Sequence, residues 1–147
     1  MAGRKPEWIP EYKRYDAWYC GLSQIPDEIL REPLRHQVRW INLNANKIED
    51  LPPNIGTLWP ELRTLWLSSN KLRYIPESVG DLKKLEELDV EGNPLEGLPA
   101  SLTRLTNLET FFCDPIEGVL SEDVVIWNNP TEIRKLWDEL FPQKTGM

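Results

Sequence analysis

Leu62 to Pro76 reads LRTLWLSSNKLRYIP, and the spacing of this stretch decides the fold. Apolar residues alternate with polar ones through Leu65 and Leu67, which is the period of a strand and not of a helix. Asn70 follows three residues after Leu67, then Leu72, and the pair Ile75-Pro76 closes the unit. The same order recurs upstream as VRWINLNANKIEDLP from Val38 and downstream as LEELDVEGNPLEGLP from Leu85. Looser copies flank these three: YKRYDAWYCGLSQIP from Tyr12 and a degraded LETFFCDPI from Leu108. The three later copies follow at steps of 23 or 24 residues, and the repeats together cover residues 12–116. A period of this size means a single supersecondary unit stacked several times, each copy burying its apolar side only against its neighbours.

Each repeated position has a physical task. Ile41 and Leu43, Leu65 and Leu67, and Leu88 and Val90 are expected to point inward from successive strands. Asn46, Asn70 and Asn93 come three residues after the second inward residue of each strand. An inward asparagine can both donate and accept toward backbone groups that the turn leaves open, so these residues are expected to form a ladder from coil to coil. Cys20 takes this position in the first copy. Pro26, Pro52, Pro76 and Pro99 follow the last inward aliphatic residue, where a residue without an N–H takes the chain out of the sheet. Ile55, Val79 and Leu102, with Leu58, Leu82 and Leu105, then return to the core.

The three central copies fit LxxLxLxxNxLxxLP with aliphatic exchanges only, and this pattern resembles the leucine-rich repeat. The tails LPPNIGTL, IPESVGDL and LPASLTRL resemble its intracellular type of about 23 residues, found in plant Ras-group-related proteins and Ras-pathway scaffolds. The resemblance implies an α/β solenoid: a right-handed superhelix with one short parallel strand per repeat on the concave face and irregular or helical returns outside. It also implies a protein-binding role, as adaptor, scaffold or regulatory subunit in signalling, without catalysis. The whole chain is expected to be a single domain (1–147), with an N-terminal cap over 1–11 and a C-terminal cap over 117–147.

The ends of such a stack must be closed, because open sheet edges and apolar end faces aggregate. Trp8, Ile9, Tyr12 and Tyr15 are the expected cover in front. Behind, Asp123–Asn129 reads as an edge strand with Val124 and Ile126 inward. Asn129-Pro130-Thr131-Glu132 reads as a helix start. Ile133, Leu136, Trp137, Leu140 and Phe141 then form one apolar helical stripe that Pro142 ends. Trp59, Trp127 and Trp137 are read as structural. Cys20 and Cys113 lie four strand spacings apart, roughly 19 Å, too far for a disulfide with its limit of about 7 Å. Both are expected to be free and buried.

Residues that alternate with the inward ones must face out of the sheet. In chain order these are Arg14, Asp16 and Trp18; Trp40, Asn42 and Asn44; Thr64, Trp66 and Ser68; Glu87, Asp89 and Glu91; and Thr110, Phe112 and Asp114. From Trp18 onward they are the candidate partner-binding residues. Exposed tryptophan favours an interface, although such rings also shield a sheet by meeting across strands. Glu87, Asp89, Glu91 and Asp114 gather negative charge on one half of the face, which would steer a basic partner segment. Five short strands present roughly 300 Å², well below the ~800 Å² per side of a stable complex. Flanking loops or termini must therefore share the contact. Lys47 and Lys71, at the adjacent turns, read as surface charges.

Composition narrows the function classes. The chain has 17 Lys and Arg against 24 Asp and Glu, a formal charge of −7, which disfavours nucleic acid and anionic lipid as partners. No apolar run approaches the ~20 residues needed to span a bilayer. MAGRKPEWIP carries no secretory signal, and Gly3 stands one position too late for myristoylation. With two cysteines, this points to a cytoplasmic setting. His36 stands alone, no cysteine–histidine cluster has metal spacing, and no glycine-rich phosphate loop is present. No cofactor, metal or catalytic residue is expected. The expected state is a monomer or a subunit of a hetero-complex with a protein partner. The other readings are a structural subunit of a large permanent assembly and a translocated bacterial effector.

Overall fold

The computed structural model describes residues 4–143; residues 1–3, Gly3 among them, and 144–147 lie outside this range, so the outermost parts of both expected caps do too. Seven strands form one sheet in chain order. They are β1 (Glu7–Ile9), β2 (Arg14–Asp16), β3 (Trp40–Asn42), β4 (Thr64–Trp66), β5 (Glu87–Asp89), β6 (Thr110–Cys113) and β7 (Val124–Ile126). Strands β2 to β6 are parallel and come from the five sequence copies, while β1 and β7 close the two edges antiparallel. The alternation expected from the sequence holds: Ile41, Leu43, Leu65, Leu67, Leu88 and Val90 are all buried in one continuous core.

The asparagine ladder is present. Asn70 Nδ2 donates to Leu43 O at 2.9 Å and to Leu67 O at 3.1 Å, and its Oδ1 accepts from Ile48 N at 3.1 Å. Asn46 and Asn93 repeat this arrangement one coil earlier and one coil later. Each amide thus ties its own turn to the preceding coil and satisfies backbone groups that strands of three residues cannot reach. The residue before this position is left-handed in the first four coils: Tyr19, Ala45, Ser69 and Gly92 have φ of 55°, 59°, 56° and 69°. Only the last is glycine, so three coils carry a side chain in a conformation that costs about 1–2 kcal/mol, and the ladder holds them there.

Proline works as expected and also starts the return. The carbonyls of Pro26, Pro52, Pro76 and Pro99 accept from the N–H of Ile29, Ile55, Val79 and Leu102 respectively. Those turns become short 3-10 helices at Asp27–Ile29, Glu77–Asp81 and Ala100–Arg104, and one α-helical turn, α2 (Ile55–Leu58). A similar short helix, α1 (Leu34–Gln37), fills the longer first return. Adjacent returns pack closely enough that a Cβ on Gly56 would sit 1.8 Å from Ser78 O.

At the two ends of the sheet, one tyrosine and one tryptophan side chain depart from expectation. Tyr15 is fully buried and its hydroxyl donates to the Glu28 carboxylate, while Trp8 packs on the core. Tyr12, expected to cover the front, is 75% exposed, because the turn Pro10–Tyr12 between β1 and β2 carries it out past the sheet edge. At the back, Asn129 caps α3 (Pro130–Leu140), its Oδ1 accepting from Glu132 N at 3.2 Å. Ile133 and Trp137 are buried, with Trp137 edge-on to Phe111 at 5.2 Å between ring centroids. Trp59 is fully buried, and its indole donates to Ile29 O at 2.7 Å. Trp127, read as structural, is instead 67% exposed. Both cysteines are free, but only Cys113 is buried; Cys20 is half-buried at the front of the stack.

Replacing Asn70 with Leu keeps the bulk but leaves Ile48 N without its partner and takes one of two amide donors from Leu43 O and from Leu67 O, which keep Asn46 and Asn93. An unfolding free energy lower by roughly 1–3 kcal/mol in urea titration is expected, whereas Lys71→Ala beside it should change stability by no more than about 0.5 kcal/mol.

Candidate protein-binding face

The strand register turns the outward residues into columns. Arg14, Trp40, Thr64, Glu87 and Thr110 are successive partners across β2 to β6, and so are Asp16, Asn42, Trp66, Asp89 and Phe112. Trp66 and Asp89 are thus neighbours on the same side of the sheet. Just past the strand ends, Trp18, Asn44, Ser68, Glu91 and Asp114 continue the alternation in the sequence.

Not every residue of these columns is free to meet a partner. Asn42 and Thr110, expected on the open face, are only 8% and 3% exposed. Thr110 Oγ1 accepts from Asn128 N at 3.0 Å beneath the closing chain of β7. Asn42 Oδ1 accepts from Asn44 N, as Asp16 does from Trp18 N and Asp89 from Glu91 N, so the second column also closes the strand ends. Asn44 Oδ1 in turn accepts from Ser68 N at 2.7 Å.

The rings divide into two groups. Trp40 and Trp66 meet edge to face at 4.6 Å, and the Arg14 guanidinium lies 3.2 Å from the centre of the Trp40 ring. The Trp66 indole N–H donates to the Glu87 carboxylate. These half-buried rings shield one another, as cross-strand aromatic pairs do. Trp18 (44% exposed) and Trp127 remain open, and Phe112 is stacked on Trp127 at 6.1 Å. Val125, paired with Phe112 in the register, is 67% exposed. The antiparallel edge strand therefore adds Val125 and Trp127 to the face. The sequence did carry the signal: if Val124 and Ile126 point in, Val125 and Trp127 must point out.

Four carboxylates crowd the C-terminal half. Burial raises the Asp89 pKa to about 6, against the lowering effect of its hydrogen bond from Glu91 N, and Glu91, Glu87 and Asp114 add to the rise. Burial also raises Glu91, reinforced by Asp114 and Asp123. Cys113, beneath this group, is pushed up to about 12, mainly by burial and then by Asp114, so it is an inert thiol. Asp114 is partly committed, accepting from Gly92 N at 2.6 Å. Among the described residues, no group of three or more His, Cys, Asp or Glu is placed to hold a metal ion. His36 is at the surface beside Glu32.

An open cleft of about 540 Å³ lies along the first column, between Trp40, Trp66 and Trp127, with Tyr12 and Arg39 on its rim. A second, of about 590 Å³, lies away from these columns between α3 and the return of the preceding coil.

Comparison with known proteins agrees with this architecture. A sequence model of the family described as leucine rich repeat matches residues 36–95. This central stretch is built of leucine-rich repeats. Among curated proteins it is 35% identical over 91 residues to MAP kinase phosphatase with leucine-rich repeats protein 1 of Dictyostelium discoideum, 60% of this chain and 11% of that one. It is 35% identical over 72 residues to Disease resistance-like protein DSC1 of Arabidopsis thaliana, covering 47% of this chain and 6% of that protein. It is also 33% identical over 89 residues to an adenylate cyclase of Podospora anserina, 60% of this chain and 4% of that protein. The leucine-rich-repeat chain thus spans a small fraction of each of these relatives. A solved Leptospira interrogans LRR protein superimposes with a TM-score of 0.54 at 28% identity, covering 69% of this chain and 32% of that one. The BIR2 ectodomain from Arabidopsis thaliana shares the fold, with a TM-score of 0.52 at 23% identity over 66% of this chain and half of the other.

The Asp89 shift predicts a pH dependence. Its folded value lies above the ordinary 3.8, so the folded chain holds this proton more tightly than the unfolded one, and the ionised form costs stability. That cost sets in as pH rises from about 4 through about 6. Asp89→Asn removes it while keeping an acceptor for Glu91 N. In urea titrations, the unfolding free energy of wild type minus variant should fall between pH 4 and pH 7 and stay level above.

Proposed function

We propose that this chain is a non-catalytic protein-interaction module that docks a partner segment carrying basic residues on the open sheet face. Its role is that of an adaptor, scaffold or regulatory subunit in intracellular signalling. One observation carries the reading: exposed Val125 pairs with Phe112, exposed Trp127 stacks on that ring, and Phe112 pairs with Asp89 on the same side of the sheet. Large rings that can be desolvated supply affinity, and neighbouring carboxylates supply steering and specificity. The edge strand also enlarges the contact beyond the five parallel strands, toward the area a stable complex needs.

The signalling context is supported by the phosphatase relatives whose names carry leucine-rich repeats. The unit length and the LPxxI-type tails support the intracellular type of repeat and a cytoplasmic location. No helix among the described residues is long and apolar enough to cross a membrane. A non-catalytic role is supported by the place of Asp89, the carboxylate with the strongly raised pKa, outside the cleft beside Trp66, which takes in only Glu87 of the four carboxylates on the C-terminal half.

The test pairs a ring with a charge. Partner capture from native extract, followed by calorimetry with the purified partner, should show Trp127→Ala combined with Glu91→Lys losing at least tenfold in affinity, about 1.4 kcal/mol. Thermal stability should hardly move, because both side chains lie at the surface of the stack. Lower melting temperature with undiminished binding would make the ring a structural shield. Insolubility of the chain without a stoichiometric companion would favour the permanent-assembly reading.

A further inference from the structure

The second residue of each sequence copy forms one more column, just before the strands. Arg39 N donates to Lys13 O at 2.8 Å, Arg63 N to Arg39 O at 2.8 Å, Glu86 N to Arg63 O at 2.7 Å and Glu109 N to Glu86 O at 2.9 Å. In chain order this column reads Lys13, Arg39, Arg63, Glu86, Glu109. Its charge changes sign between the third and fourth coils, where the neighbouring column also turns acidic at Glu87. The face is therefore divided: basic at one edge of its N-terminal half, acidic across its C-terminal half.

The cleft of about 540 Å³ lies where this division falls. Most polar groups around it are already engaged. Arg14 is held by the Trp40 ring and by Asp16 at 3.3 Å, Arg63 reaches Glu86 at 3.5 Å, and Glu87 accepts from Trp66. Arg39 is exposed and has no ion-pair partner among the described residues. Beside it, the cleft is walled by Trp66 and by Trp127. An indole wall next to an uncommitted guanidinium suits a group that is bulky and apolar but ends in, or adjoins, a carboxylate.

Building on the module reading above, we infer that this cleft is a subsite for an acidic residue and an adjacent aromatic residue of the partner. The bound segment is then amphoteric, not simply basic. Its carboxylate meets Arg39, with Arg63 alongside in its pair with Glu86, its ring enters beside Trp66 and Trp127, and its basic residues reach Asp89 and Glu91. From β3–β4 to β5–β6 is two strand spacings, roughly 10 Å, which an extended segment covers in about three residues. Charge order thereby fixes the direction in which the segment lies.

Two capped peptides test this by tryptophan fluorescence at low salt. One carries two glutamates, a phenylalanine, a glycine and three lysines in that order; the other has glutamines for the glutamates. The glutamate peptide should bind the wild type at least fivefold more tightly. The Arg39→Glu, Arg63→Glu variant, changed only at exposed side chains, should reverse the preference. Equal or tighter binding of the glutamine peptide to the wild type, or a preference unchanged in the variant, would overturn the subsite. If the glutamine peptide binds best and Glu91→Lys abolishes that binding, the acidic-face reading survives alone. Saturable binding of neither peptide at millimolar concentration would defeat both.

Discussion

A coil of this solenoid cannot satisfy its own backbone. Strands of three residues leave the turn beyond them with open N–H and C=O groups, and the buried amides of Asn46, Asn70 and Asn93 close them across consecutive coils. Because each asparagine serves two coils, order in one enforces order in the next, as expected for a stack whose units are not stable alone. The left-handed residues before each amide are held by the same arrangement, while the proline carbonyls that start each return accept from N–H groups of that return. Close approach of the returns at Gly56 is a further consequence, since coils pinned this tightly on one side must also meet on the other.

That pinning gives the face its chemistry. In-register parallel strands place equivalent residues of successive copies side by side, so a variable position becomes a line of neighbouring side chains. The Trp40–Trp66 contact, the Arg14 guanidinium over Trp40 and the Asp114 charge that adds to the rise of Asp89 all arise between residues more than 20 apart in the chain. The antiparallel edge strand β7 extends the lines by one member and leads into the exposed ring of Trp127. A surface assembled this way can change its partner by substitution at outward positions while the ladder and core stay fixed.

Periodicity is a statement about direction, and direction was legible. The inward aliphatics, the ladder, the role of proline, the helix at Asn129 and the common facing of Trp66 and Asp89 all follow from spacing two or three residues apart. Coverage is a different property. Asn42 and Thr110 do face outward in the register, yet neighbouring chain buries them, and no spacing rule reports what a neighbour covers. Tyr12 and Trp127 erred the other way. Each stands beside a capping element, and proximity in sequence to a cap is not burial within it. For Trp127 the alternation through Val124 and Ile126 held the right answer.

The amino-acid order alone determined the repeat, the architecture and which side each residue takes, because those depend on backbone periods that every copy shares. Only the folded chain decided which outward groups are already spent on one another and which stay available, since that depends on side chains from different coils competing for the same few ångströms. The charge division of the face belongs to both: its residues stand in plain order in the sequence, but the cleft that gives them a use exists only once the coils are stacked.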